Sequence, residues 1–251
     1  MAIAPTPAPA VVQLKNEKAL SAKTMTQPKP LVHSYSSLDY FNGCSHKYNQ
    51  VKLLKTFKDK PFKASEDGVA LHLAIERAIS MGAMMPDGLI KHVPTVEMLK
   101  ALPGSKLCEQ KMALTRQATP CDFWDKEAWI RGAADFVNLQ GEHAIIADFK
   151  DGKVSPKPDQ LHLMATMVFA RWPQVKTIKG VLMFMNHDVI HTESYGAQHF
   201  AQMWGYWSQK MTKTERTIEQ GAFTKSPSGL CAGYCPVADC EHYEPQPRNK
   251  K

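Results

Sequence analysis

The chain has no apolar run of the roughly 18 residues that a membrane-spanning helix requires, which excludes a helical membrane span. Its first twelve residues are apolar, but they lack a leading positive charge and are interrupted by Pro5, Pro7 and Pro9. That is a poor match to a secretory signal, so the expectation is a cytoplasmic, reducing location. In such a setting six cysteines serve as metal ligands or core residues more readily than as a disulfide framework. Acidic residues are in deficit, 24 against 31 Lys and Arg, which leaves a net charge of +7. A surplus of that sign favours polyanions such as nucleic acid or acidic membrane surfaces. No internal repeat is visible.

The rest of the composition is ordinary for a soluble globular protein, with 43% hydrophobic and 22% charged residues in 251. Residues 1–30 carry five of the 17 prolines without hydrophobic periodicity and read as a disordered leader. Residues 244–251, rich in Pro, Lys and Arg, read as a tail. Residues 31–243 then suit one domain. Ser36 with Asp39 resembles a capping box opening a helix that buries Leu38, Phe41 and Tyr48. Asp67 can cap a second helix over residues 68–81, with His72 and Glu76 one turn apart. Residues 106–114 and 129–150 are β-type, Pro158 and Asp159 open a third helix, and a second β pair spans 177–185 and 189–195. A last helix over 197–220 has Phe200, Met203, Trp204, Trp207 and Met211 at helical spacing. This order indicates a mixed α/β domain.

The most informative stretch runs from Gly132 to Lys150. If Gly141 and Glu142 form a two-residue hairpin turn, Gln140 pairs with His143 and Asp135 pairs with Asp148. The two carboxylates would then face each other about 5 Å apart. They repel unless a cation lies between them, and hard oxygen ligands suit Mg²⁺. Strand alternation puts Lys150 on the same face. An acid pair beside an ammonium can hold a metal, orient a water and stabilise charge on an attacked phosphate. The alternative is a solvated strand end, but Ala144, Ile145, Ile146, Ala147 and Phe149 describe a buried strand whose charges require partners.

Asp135, then Asp148-x-Lys150, then Gln160 at a helix start resembles the PD-(D/E)XK nuclease superfamily. More closely it resembles the branch of RecB-type nuclease domains, phage exonucleases and CRISPR adaptation nucleases. Ser36-x-x-Asp39-Tyr40-Phe41-x-x-Cys44 is similar to that branch's N-terminal cysteine helix, and Gly68-x-x-x-His72 with Glu76 to its histidine helix. Glu109 sits where the family often has another acid. The resemblance implies a central mixed sheet flanked by helices, with Mg²⁺ or Mn²⁺ held by Asp135 and Asp148 and completed by His72 and Glu109. It also implies that Lys150 polarises the attacking water, that Gln160 orients groups around it, and that DNA ends are the substrate of an exonuclease. The family's tyrosine four residues after the glutamine is here Met164. From the residues alone, His72 could be a core histidine, Gln160 a first-turn residue and Glu109 a surface strand residue. A non-catalytic DNA-binding subunit with the same fold is the alternative to an enzyme.

Cys231, Cys235 and Cys240 lie close together beside Gly and Pro, a spacing that lets thiolates converge on one metal. Cys44 is available as a fourth ligand. The resemblance implies a 4Fe–4S cluster on these four, joining the N- and C-terminal parts; zinc is the rival occupant, since a four-cysteine site suits either. Cys108 and Cys121 have no metal-like spacing. Lys47, Lys52, Lys55, Lys58, Lys60 and Lys63 with Tyr48, Phe57 and Phe62 interleaved form either a nucleic-acid channel or a solvated linker.

Overall fold

The structure, a computed structural model, describes residues 31–59 and 64–246. The leader, the last five residues, Lys60, Phe62 and Lys63 lie outside the described residues.

Six strands among the described residues form one mixed sheet in the order β2-β1-β3-β4-β5-β6. These are β1 (Ser105–Leu114), β2 (Pro120–Cys121), β3 (Ile130–Gln140), β4 (His143–Lys150), β5 (Thr177–Phe184) and β6 (Val189–Gly196). Only β4 and β5 run parallel, and the crossover between them is α5 (Pro158–Arg171). The helices are α1 (Tyr35–Gly43), the short α2 (Ser45–Tyr48) ending in a π-helical turn over Asn49–Leu53, α3 (Ala64–Met81), α4 (Val93–Ala101), α5 and α6 (Phe200–Gln220). The domain is therefore of the mixed α/β class, a sheet with helices on both faces. Among the described residues no helix is long and apolar enough to cross a membrane.

Two apolar layers cover the sheet. On one face, Leu163, Met164, Met167 and Val168 of α5, Met203, Trp207 and Met211 of α6 and Leu38 of α1 pack against Met112, Ile130, Val137 and Ile146. On the other, Leu71, Ala74, Ile75 and Ala78 of α3, at helical spacing, join Val96 and Leu99 of α4 over Phe136, Ala147 and Phe149. Gly132 permits the close approach of α5, because a Cβ there would meet Met167 Sδ at 3.1 Å and Met164 Cε at 3.3 Å. Met164 is thus a buried core side chain.

The hairpin joining β3 and β4 forms as the Gly-Glu turn predicts. Gly141 takes φ +63°, Gln140 pairs with His143, and the register continues to Phe136 opposite Ala147. Two local readings are corrected. Helix α1 is capped by Ser34, whose side chain accepts from Ser37 N while Ser37 Oγ reciprocates toward Ser34; Ser36 and Asp39 lie inside the helix. Helix α3 starts at Ala64, so Asp67 is a first-turn residue and not its cap. The segment before β1 is helical, in a 3₁₀ turn (Asp87–His92) and α4, although sequence periodicity marked neither. At the C-terminal end, Glu244 N donates to Cys231 O and Glu244 O accepts from Gly233 N.

Candidate metal centre

In β1 and β3 the side-chain alternation breaks at the same level. Leu107 and Val137 face the α5 side, and so do Met112, Leu114, Ile130 and Ala134. Cys108 and Phe136 face α3. Two positions of opposite parity on one face require one slip of the pleat in each strand. The slip falls at Glu109, which takes φ +47°, and at Asp135 opposite it, where the ladder between Cys108↔Phe136 and Gln110↔Ala134 skips a pair. A non-glycine residue with positive φ is a strained conformation of the kind that clusters at functional sites.

This slip turns two acids toward α3. His72, Glu109 and Asp135 offer ligand atoms all within 4.8 Å of one another. His72 Nδ1 lies 3.4 Å from Asp135 Oδ1, and His72 Nε2 is 2.8 Å from the carbonyl oxygen of Phe149. A carbonyl can only accept, so Nε2 carries the hydrogen and Nδ1 is directed at Asp135. Hydrogen bonding to Asp135, opposed by burial, raises the His72 pKa to about 9. Burial and the Asp135 charge also push the Glu109 carboxyl up.

Asp148, Lys150 and Gln160 form a second group on the α5 side. Lys150 Nζ lies 2.7 Å from Asp148 Oδ2 and donates to Gln160 Oε1 at 3.0 Å, while Gln160 Nε2 donates to Asp148 Oδ1. Asp148 is 4% exposed. Its Oδ2 is buried and, for all its proximity to the ammonium, has no hydrogen-bond donor in proper alignment among the described residues. Burial, then the Asp135 charge, raise the Asp148 pKa to about 6 against the opposing pull of Lys150.

The ladder stops one pair short of Asp135 and Asp148. Asp135 Oδ2 instead accepts from Phe149 N at 2.7 Å, filling a place that a β3 carbonyl would take in a regular ladder. The two acids therefore approach from opposite sides of the sheet, and Asp148 is not among the three ligand atoms that converge. The structure brings the six residues read from the sequence for the catalytic metal site together as two adjoining triads.

Three further residues were not read from the sequence. Asp151 lines both the cleft with His72, Glu76 and Glu109 and the one with Lys150 and Gln160. Its adjacency to Lys150 was the available signal. Tyr35 and Lys157 also line the Lys150 cleft, and burial and surrounding acids raise the Tyr35 pKa to about 12. Both arrive by tertiary packing that has no local sequence mark.

Cys44, Cys231, Cys235 and Cys240 line one cavity of about 570 Å³. No three of their sulfurs lie within 4.8 Å of one another. Cys44 Sγ accepts from Lys47 N and Cys231 Sγ from Ser228 N, both at 3.4 Å. Of the basic strip, Lys47 and Lys52 lie over the Tyr40 ring at 4.4 and 4.7 Å, and Lys52 pairs with Asp59.

No family model matches the chain, and no curated protein does. Among solved structures, a candidate exonuclease from Eubacterium rectale aligns over 92% of both chains at 12% identity with a TM-score of 0.47. The protein SSO0001 aligns over 84% of this chain and 86% of its own at 14% identity with a TM-score of 0.39.

Proposed function

We propose that the chain is a divalent-metal-dependent deoxyribonuclease that hydrolyses phosphodiesters at DNA ends. The observation that carries this reading is the convergence of His72, Glu109 and Asp135, whose ligand atoms all lie within 4.8 Å of one another, beside the ion pair of the buried Asp148 with Lys150. Two carboxylates held that close repel unless a cation lies between them, and a divalent ion with oxygen ligands meets that need.

The donor set fits such an ion. Glu109 and Asp135 supply converging hard oxygens suited to Mg²⁺ or Mn²⁺, Asp148 adjoins them from the other side of the sheet, and the His72 imidazole leans toward the transition ion. His72 also has the arrangement expected of a ligand, since its Nε2–H is held by a backbone carbonyl while Nδ1 faces the acids. A bound divalent ion supplies charge neutralisation on the phosphoryl group and acidifies water. Lys150 holds its ammonium beside Asp148, where it orients the attacking water and stabilises charge on the phosphate. Gln160 fixes both partners, donating to Asp148 and accepting from Lys150. In-line attack of water on the scissile phosphate then releases a nucleotide from the end.

The four cysteines line one cavity, and we assign them a 4Fe–4S cluster, with zinc as the rival. N–H···S bonds such as those on Cys44 and Cys231 would tune such a cluster. Its role is architectural, tying the α1–α2 junction to the C-terminal segment, since hydrolysis consumes no electrons.

Incubation with end-labelled single- and double-stranded DNA in Mg²⁺, Mn²⁺ or chelator tests the activity. Metal-dependent release of mononucleotides or short oligomers is expected. Binding without cleavage under all metal conditions would instead make the chain a non-catalytic DNA-binding subunit.

A further inference from the structure

The face of the sheet that carries the acid cluster continues past it. Met112, Leu114, Ile130 and Ala134 face α5, and Gly132 abuts Met164 and Met167 of that helix. Alternation therefore places Lys111, Arg131 and Ala133 on the opposite face, that of α3 and His72. Lys111 is two positions from Glu109 along β1, about 7 Å, and Arg131 four from Asp135 along β3, about 13 Å.

Over this strip lies the segment between β2 and β3. Phe123 and Trp124 pack edge to face, with ring centroids 4.9 Å apart at 89°. The Arg131 guanidinium lies 5.0 Å from the Trp124 ring and 5.7 Å from Phe123, and Lys111 Nζ lies 5.8 Å from Phe123. Trp124 is nevertheless 76% exposed, an unusual position for the largest apolar side chain. Arg131 donates to the Asp125 carbonyl at 3.0 Å, and its buried Nε has no partner among the described residues. Neither Lys111 nor Arg131 forms an ion pair among the described residues, although Asp122, Asp125 and Glu127 flank the aromatic pair and Glu109 faces Lys111.

We infer that Phe123 and Trp124, with Lys111 and Arg131, form a stacking platform for the unpaired bases of a DNA strand whose phosphate reaches the acid cluster. The inference rests on the nuclease reading and narrows its substrate to single-stranded DNA or frayed ends. An exposed indole backed by a guanidinium offers a π-face to any base. The two cations beside it, in no ion pair among the described residues, supply phosphate attraction. A protein-binding surface would bury the aromatic pair without needing cations that lead toward the acids.

The test separates stacking from both cleavage and charge. Binding of a fluorescein-labelled 20-mer single strand and of an abasic strand of equal length is measured by anisotropy in chelator, where nothing is cut. Trp124→Ala is expected to weaken binding of the normal strand roughly tenfold, the loss of about one stacked base, and to leave the abasic strand unaffected. Trp124→Phe is expected to restore most of that loss. Because Trp124 is exposed, the variants fold, which circular dichroism checks. Equal binding by wild type and Trp124→Ala, or an equal loss on both strands, overturns the platform and leaves the nuclease reading intact; the exposed pair would then fit a protein contact. Metal-independent binding with the expected Trp124 dependence but no cleavage supports the platform and sinks the nuclease.

Discussion

His72 Nδ1 lies 3.4 Å from Asp135 Oδ1 while its Nε2 is tied to the Phe149 carbonyl. A helix residue and two strand residues are thereby locked at the point where β3 leaves its ladder with β4. The lock depends on the slip at Glu109 and Asp135, since alternation continued from Phe136, in the half of β3 that pairs with β4, would turn Asp135 away from α3.

The slip predicts how the metal-free site responds to pH. A raised histidine pKa contributes stability that is fully present below the unfolded value near 6.5 and is lost as pH rises through about 9. The raised Asp148 pKa likewise favours the folded state in acid, and that contribution fades as pH rises through about 6. In chelator, Asp148→Asn should therefore be more thermostable than wild type at pH 7.5 and lose that advantage by pH 5. A pH-independent difference in Tm would contradict the burial and charge assigned to Asp148.

Divalent ions should reverse that order. Mn²⁺ and Mg²⁺ are expected to raise the wild-type Tm, Mn²⁺ at the lower concentration because of the imidazole ligand. The shift should disappear in Asp135→Asn and shrink in His72→Ala, as read by differential scanning fluorimetry over a metal titration.

Much of this geometry was legible in the sequence. The Gly141-Glu142 turn located β3 against β4 as far as Phe136 opposite Ala147, one pair short of Asp135 and Asp148, and start signals at α3 and α5 with the apolar spacing of α6 located those helices. The face of Asp135 was not legible, because a positive φ at a glutamate has no compositional mark and one slipped residue reverses every side chain beyond it. The capping of α1 by Ser34 was missed because Ser34, Ser36 and Ser37 offer several competing hydroxyls. The Phe123–Trp124 platform was missed because its cations come from two other strands.

Gln160 is expected to act by positioning. Gln160→Ala removes a donor from the buried Asp148 and an acceptor from Lys150, which should cost about 1–3 kcal/mol of stability. It should lower kcat more than it raises KM, whereas a residue that merely packs would leave kcat unchanged in the folded protein. Steady-state kinetics beside chemical denaturation separate the two.

The cysteine site predicts a brown protein absorbing near 400 nm with about four irons per chain. Cys44→Ser and Cys231→Ser should each lose the colour and lower the Tm. A colourless protein with one zinc would exclude the cluster.

Glu215 gathers Trp129 Nε1 at 2.7 Å, Arg116 at 2.6 Å and the buried His33 at 3.5 Å. Its pKa is lowered, by hydrogen bonds from Trp129 and Arg116 that outweigh burial. Burial lowers the His33 pKa. Both groups lose stabilising power as pH falls: His33 as it is forced to charge below its unfolded value near 6.5, Glu215 through its own lowered folded value. Glu215→Gln should reduce stability at neutral pH and flatten the acid limb of a Tm-versus-pH curve.

The most direct test of the central claim is single-turnover cleavage of end-labelled DNA by wild type, Asp148→Asn and Lys150→Ala, purified identically and assayed in Mn²⁺ and Mg²⁺. Both substitutions should lower the rate constant at least about 10²-fold while leaving DNA binding in chelator near the wild-type value. Undiminished metal-dependent cleavage by either variant would contradict the account.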